Sequence, residues 1–128
     1  MITFKKGSED SFFPGLMVKD FQCKCTNEDC TIVNMSDKLF NALVKLKVEL
    51  KLKKIVCLSG NRCEKHNLKV EGVPNSRHLV SVGEAIDMPE VMFPDPEEAV
   101  KILYRVGFTF IKYYPNKKFF HADVREQH

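Results

Sequence analysis

The chain has 128 residues, 44% of them apolar and 29% charged, and a formal net charge of +3. That balance describes a folded globular chain of one domain's length rather than a disordered one, and so mild a charge reads as surface solvation, not as the footprint of a nucleic-acid binder. No run approaches the ~18–20 apolar residues that span a bilayer, and no apolar stretch follows the N-terminal lysines as a secretory signal requires.

Residues 1–20 read as irregular, with Pro14-Gly15 as a turn signal. Cys23, Cys25 and Cys30 follow as a tight cluster within five cysteines, the others being Cys57 and Cys63. An odd count argues against a complete disulfide framework. A structural zinc takes four ligands, usually in two pairs, and these pairs are incomplete. Free thiols, or a bridge reaching Cys57 or Cys63, are therefore expected.

A helix is expected over Ser36–Lys51, with Ser36 as its N-cap. Leu39, Phe40, Leu43, Leu46, Val48 and Leu50 supply its apolar stripe. Ile55–Leu58 reads as a short buried strand ended by Ser59-Gly60. Residues 61–79 read as irregular or briefly helical, with Gly72 and Pro74 as breakers. Gly83–Met88 reads as a strand. Asp95-Pro96-Glu97-Glu98 is a helix start: Asp95 caps, Pro96 takes the first helical position, and Glu98 lies three residues after the cap. That helix runs to Val106 and stops at Gly107. Phe108–Tyr113 and Lys118–Arg125 close the chain as a hairpin. The fold class is α+β, a single domain over 1–128 with a mostly antiparallel sheet flanked by helices. Residues 1–15 form its irregular N-terminal segment.

His121, Asp123 and Arg125 alternate with Phe120, Ala122 and Val124. On a strand, alternate residues share one face, so a His, a carboxylate and a guanidinium stand in a row while the apolar three face the core. Taken alone, such a row is more often only a solvated face. A second polar cluster runs through Asn75-Ser76-Arg77-His78 and Gly83-Glu84-Ala85-Ile86-Asp87. Two imidazoles and a carboxylate are a typical catalytic zinc set, which leaves a fourth position for water.

Ser59-Gly60-Asn61-Arg62-Cys63, His66-Asn67, Pro74-Asn75-Ser76-Arg77-His78, Gly83-Glu84-Ala85-Ile86-Asp87 and His121-Ala122-Asp123, in this order, resemble the motifs of the D-alanyl-D-alanine zinc metallopeptidases. That group includes peptidoglycan carboxypeptidases and phage endolysins and shares a fold with the hedgehog signalling domain. The resemblance runs from Leu16 to Arg125. It implies Zn²⁺ on His78, Asp87 and His121, Arg62 binding the substrate's carboxylate, and Ser76 as a substrate or supporting hydrogen-bond partner. Asp123 is the candidate catalytic base, the alternative being a group that orients His121. His66 is structural, and His128, at the end of the chain, is expected to be disordered.

The sequence departs from the family at several positions. Eight residues, Leu79 to Ile86, separate His78 from Asp87, two more than is usual, and Ser81-Val82 is read as the extra pair in a lengthened loop. Asn61 stands where an aromatic is common. Lys118 and Phe119 occupy positions where relatives carry a carboxylate or a His. The resemblance implies a zinc-dependent peptidase acting as a monomer on D-amino-acid-containing peptides of peptidoglycan, with no nucleic-acid or membrane partner. Such a protein, made in the cytoplasm, would act on the cell wall, as a phage lysis or virion protein does. A non-catalytic zinc-binding module on the same fold, such as a phage particle component, is the alternative. A cysteine-based nucleic-acid binder is the third reading.

Overall fold

A computed structural model describes residues 1–126; His128 and the expectation attached to it lie outside them. In chain order the elements are β1 (Ile2–Lys5), β2 (Ser11–Phe13), β3 (Leu16–Met17), α1 (Val18–Phe21), β4 (Ile32–Met35), α2 (Asp37–Glu49), α3 (Glu64–Lys69), β5 (Ala85–Pro89), α4 (Pro96–Val106), β6 (Phe110–Tyr114) and β7 (Phe119–Asp123). A 3-10 turn, Glu90–Met92, follows β5. All strand pairing in the named sheets is antiparallel: β1 with β4, β2 with β3, and a three-stranded sheet in the order β5-β7-β6. This is a small α+β fold, as the element pattern implies.

The two long helices start where side-chain chemistry says they should. Ser36 Oγ accepts from the Leu39 N–H at 3.1 Å, and Asp95 Oδ1 accepts from the Glu98 N–H at 2.9 Å, each satisfying a donor that the helix cannot. Leu39, Ala42, Leu43 and Leu46 of α2 and Ala99, Ile102, Leu103 and Val106 of α4 are buried. They share one core with Ile86 and Met88 of β5 and Phe120 and Ala122 of β7. Val48, assigned to the stripe of α2, is 72% exposed. It lies two residues after Leu46, a spacing that turns a helical side chain away from the buried face.

Two expectations for local structure need correction. The N-terminal twenty residues are not irregular: they form three short strands and α1. Each strand is four residues or fewer, too short to stand out by periodicity, and β4, which pairs with β1, is equally short. Ile55–Leu58 is not a strand of any ladder. Ile55 is buried, but the segment meets β5 only at its end, where Leu58 N–H donates to Asp87 O and Asp87 N–H to Ser59 O. The result is a single isolated bridge between Ser59 and Asp87.

All five cysteines are free. Cys63, at the start of α3, joins Cys23, Cys25 and Cys30, while Cys57 stands apart from this group.

Candidate metal centre and its cleft

The centre is built by strand register. β5 and β7 pair so that Asp87 faces His121 and Ala85 faces Asp123. Phe120, Ala122 and Val124 are buried in the core, which turns His121 and Asp123 to the other face of the sheet. His78 reaches the same point from the loop before β5. The eight residues between His78 and Asp87 do not separate them. Residues 79–83 form a turn in which Val82 and Gly83 N–H both donate to Leu79 O. Gly83 closes it at φ +59°, and an added Cβ would stand 2.7 Å from Asn34 O. The connection is thus folded into a turn, and His78 and Asp87 meet at its ends.

Three acceptor atoms converge. His78 Nε2, His121 Nδ1 and Asp87 Oδ1 form a triangle 3.1 Å on every side. The outer nitrogen of each ring is committed. His78 Nδ1 lies 2.7 Å from Gly60 O, and a carbonyl can only accept, so that nitrogen carries the proton. His121 Nε2 lies 2.7 Å from Asp123 Oδ2 and donates to that carboxylate. With both rings neutral, the inner nitrogens present lone pairs to each other and to a carboxylate oxygen. That arrangement is repulsive unless an added proton on a ring, donated to Asp87, or a metal ion lies between them. A tetrahedral zinc with bonds of ~2.0–2.1 Å separates its ligands by about 3.3 Å, close to the triangle's edge. The donor set fits Zn²⁺.

Burial pushes the Asp87 carboxyl up, but hydrogen bonds from His121 and His78 outweigh it and bring its pKa down to about 2. Burial likewise opposes ionisation of Asp123. Hydrogen bonds from His121 and Arg125 prevail, and its pKa is also about 2. Burial lowers the His121 pKa, yet hydrogen bonds to Asp123 and Asp87 reverse this and leave it raised.

Asp123, the candidate base, is 0% exposed. Oδ2 accepts from His121 and from Arg125 Nη2 at 2.6 Å, and Oδ1 accepts from Arg125 Nε at 2.9 Å and from its backbone N–H at 3.1 Å. A base must reach the water it deprotonates. This carboxylate instead faces the outer nitrogen of His121, on the far side of the ring from the triangle. The geometry is that of a group that orients His121, the alternative weighed for it from the sequence. Arg125 in turn lies over the Phe110 ring, 3.8 Å from its centroid.

The triangle lies in a cleft of about 660 Å³. Arg62 and Ser76 both line it. Ser76 Oγ accepts from the His78 N–H at 3.1 Å, so the hydroxyl steadies the loop that carries His78. The Arg62 guanidinium has no carboxylate partner among the described residues, and its Nε is buried without a hydrogen bond. A buried unpaired donor is costly, and one on a cleft wall is suited to an incoming anion. Asn61 does not line the cleft. It is buried, and its side-chain amide brackets the backbone of Asn34, accepting from the N–H at 2.8 Å and donating to the carbonyl at 2.9 Å. His66 lies in α3 and is not part of the triangle.

Sequence reasoning missed Phe110, Lys112 and Tyr114, which alternate along β6 and all line the cleft. Lys112 pairs with His121 in register. Their two-residue alternation is visible in the sequence, but which strand lies beside β7 is not.

One family profile, Peptidase M15, matches residues 14–123. No curated protein matches the chain.

Proposed function

Since the chain belongs to the M15 peptidases, the D-Ala-D-Ala zinc peptidase family, we propose that it is a zinc-dependent hydrolase of D-amino-acid-containing peptide bonds in bacterial peptidoglycan. The observation that carries this reading is the 3.1 Å triangle of two imidazole nitrogens and a carboxylate oxygen in the cleft. His78, Asp87 and His121 hold the metal. When bound, zinc polarises the scissile carbonyl and brings the pKa of a water towards neutrality.

The chain's own residues do the rest. The Gly60 carbonyl keeps His78 in the tautomer that bares Nε2, and Asp123 does the same for Nδ1 of His121. Arg62 takes a substrate carboxylate by its planar fork. Lys112 and Lys117 add positive potential along the same cleft, suited to the anionic stem peptides of the wall. Among the described residues, no helix is long and apolar enough to cross a membrane. The protein acts on the wall as a monomer, with no nucleic-acid or membrane partner.

A chelator should abolish hydrolysis of purified peptidoglycan and zinc should restore it; activity that persists in excess chelator refutes the metal's role. One observation favours a second reading, zinc binding without turnover. Asp123 is withdrawn from the cleft, and the carboxylates that line it are Asp87 and Glu71. Turnover of a cross-linked muropeptide separates the two readings.

A further inference from the structure

We propose that Cys23, Cys25, Cys30 and Cys63 form a second metal site, an all-cysteine zinc centre that is structural rather than catalytic. All four sulfur atoms lie within 4.8 Å of one another. Cys25 Sγ and Cys63 Sγ are 3.7 Å apart. A tetrahedral site with Zn–S bonds of ~2.3 Å has sulfurs about 3.8 Å apart, whereas a disulfide brings them to about 2.05 Å. The cluster has the spacing of a metal site and not of a bridge.

The groups around the sulfurs point the same way. The Cys63 N–H donates to Cys23 Sγ at 3.3 Å, the His66 N–H to Cys63 Sγ at 3.4 Å, and the Lys6 ammonium to Cys25 Sγ at 3.3 Å. Two amides and an ammonium aimed at sulfur suit thiolates, which need donors and a counter-charge; zinc thiolates are supported in this way. Lys6 also donates to Cys25 O at 2.9 Å, which fixes it over the cluster.

The backbone supplies the structural reason. From Cys23 to Cys30 the amide groups make one backbone hydrogen bond, Cys30 N–H to Asn27 O at 3.2 Å. The segment has no helix or strand, so its conformation needs another restraint. Cys23 and Cys63 are 40 residues apart in the chain, and one ion would tie the segment to the start of α3. Cys63 directly follows Arg62, so the same ion would anchor the backbone beneath the cleft's unpaired guanidinium. Cys25, Cys30 and Cys63 are only partly buried, which leaves the site open to loading. This centre shares no ligand with the histidine triangle and does not depend on it.

The test uses the full chain with His121→Ala, which breaks the histidine centre. Purified under reducing conditions with zinc supplied, it should retain one equivalent of zinc. Exchange for Co²⁺ should give intense thiolate-to-metal charge-transfer absorption in the near ultraviolet, and Cys25→Ser or Cys30→Ser should remove it. Should any of these variants fail to fold, the cobalt spectrum of the unaltered chain decides, because a His-Asp-His centre contains no sulfur and cannot produce that band. Absence of the band, with the cysteines freely reactive to a thiol reagent or paired as disulfides by intact mass, overturns the proposal. A missing histidine-centre zinc beside a present thiolate band would count against the catalytic reading alone.

Discussion

Asp87 and His121 stand opposite each other across the β5–β7 ladder, with Oδ1 of one 3.1 Å from Nδ1 of the other. A cross-strand pair is held by the backbone on both sides, so two of the three proposed ligands come pre-positioned on rigid elements. His78 completes the set from a loop that local contacts restrain: its own N–H to Ser76, its ring to Gly60, and the backbone bonds that tie Arg62 to His78 O and Val80 to Arg62 O.

Asp123→Asn tests how that carboxylate acts. Orienting groups of this kind contribute about 10–100-fold to metal affinity or activity. The substitution is expected to weaken zinc binding by that order, with turnover at saturating zinc reduced far less. Competition titration for zinc beside kcat checks it. Unchanged zinc affinity with turnover abolished would return Asp123 to the role of base.

Arg62→Ala is expected to lower kcat/KM for substrates with a free carboxylate by about 10–150-fold, the loss of a hydrogen bond to a charged group of about 1.5–3 kcal/mol. Arg62→Lys should recover little, because a point charge cannot reproduce the planar fork. The effect should vanish on a substrate whose carboxylate is amidated. Equal losses on both substrates would make Arg62 a structural residue.

Zinc affinity should fall on acidification, and the sign follows from the protonation states. The metal takes an unprotonated imidazole, and in the metal-free chain the acceptors Asp123 and Asp87 raise the pKa of His121. As pH drops through that raised value, a proton competes for Nδ1 and binding weakens, while Asp87, with a pKa of about 2, stays ionised. Zinc dissociation constants measured between about pH 5 and 8 should show this. Asp87→Asn removes one of the acceptors and should also cost a ligand. A flat profile would contradict the competition.

Gly60→Ala should unfold the site from behind. A Cβ at this position would lie 2.4 Å from the Phe21 ring and 2.5 Å from its carbonyl oxygen, and Phe21 O also accepts from the Asn61 N–H at 2.7 Å. Overpacking of this kind costs about 1–3 kcal/mol, and it displaces the carbonyl that holds His78. Denaturant unfolding and zinc content should both drop. A stable variant with full zinc occupancy would show that the loop can yield.

What the sequence determined by itself is what depends on near neighbours. The caps at Ser36 and Asp95, the stop at Gly107, the turn to the last hairpin and the alternation of His121 and Asp123 against Phe120 and Ala122 all follow from local backbone chemistry and side-chain period. The family motifs added the identity of the proposed ligands. Short strands such as β1 and β4 are not legible in this way because so few residues give too little periodicity. Ile55–Leu58 misleads because a short apolar run fixes neither burial nor a partner: Ile55 is buried but Leu58 is exposed.

Tertiary structure decided everything that depends on distant chain segments meeting. His78 and His121 are 43 residues apart, and Cys63 joins a cysteine trio from far earlier in the chain. Neither convergence is written in local spacing. The same holds for Asp123, whose chemistry as an acid is plain from its type but whose direction is not. Packing of the core fixes which face of β7 it occupies, and Arg125 and His121 then leave its oxygens no free side towards the cleft.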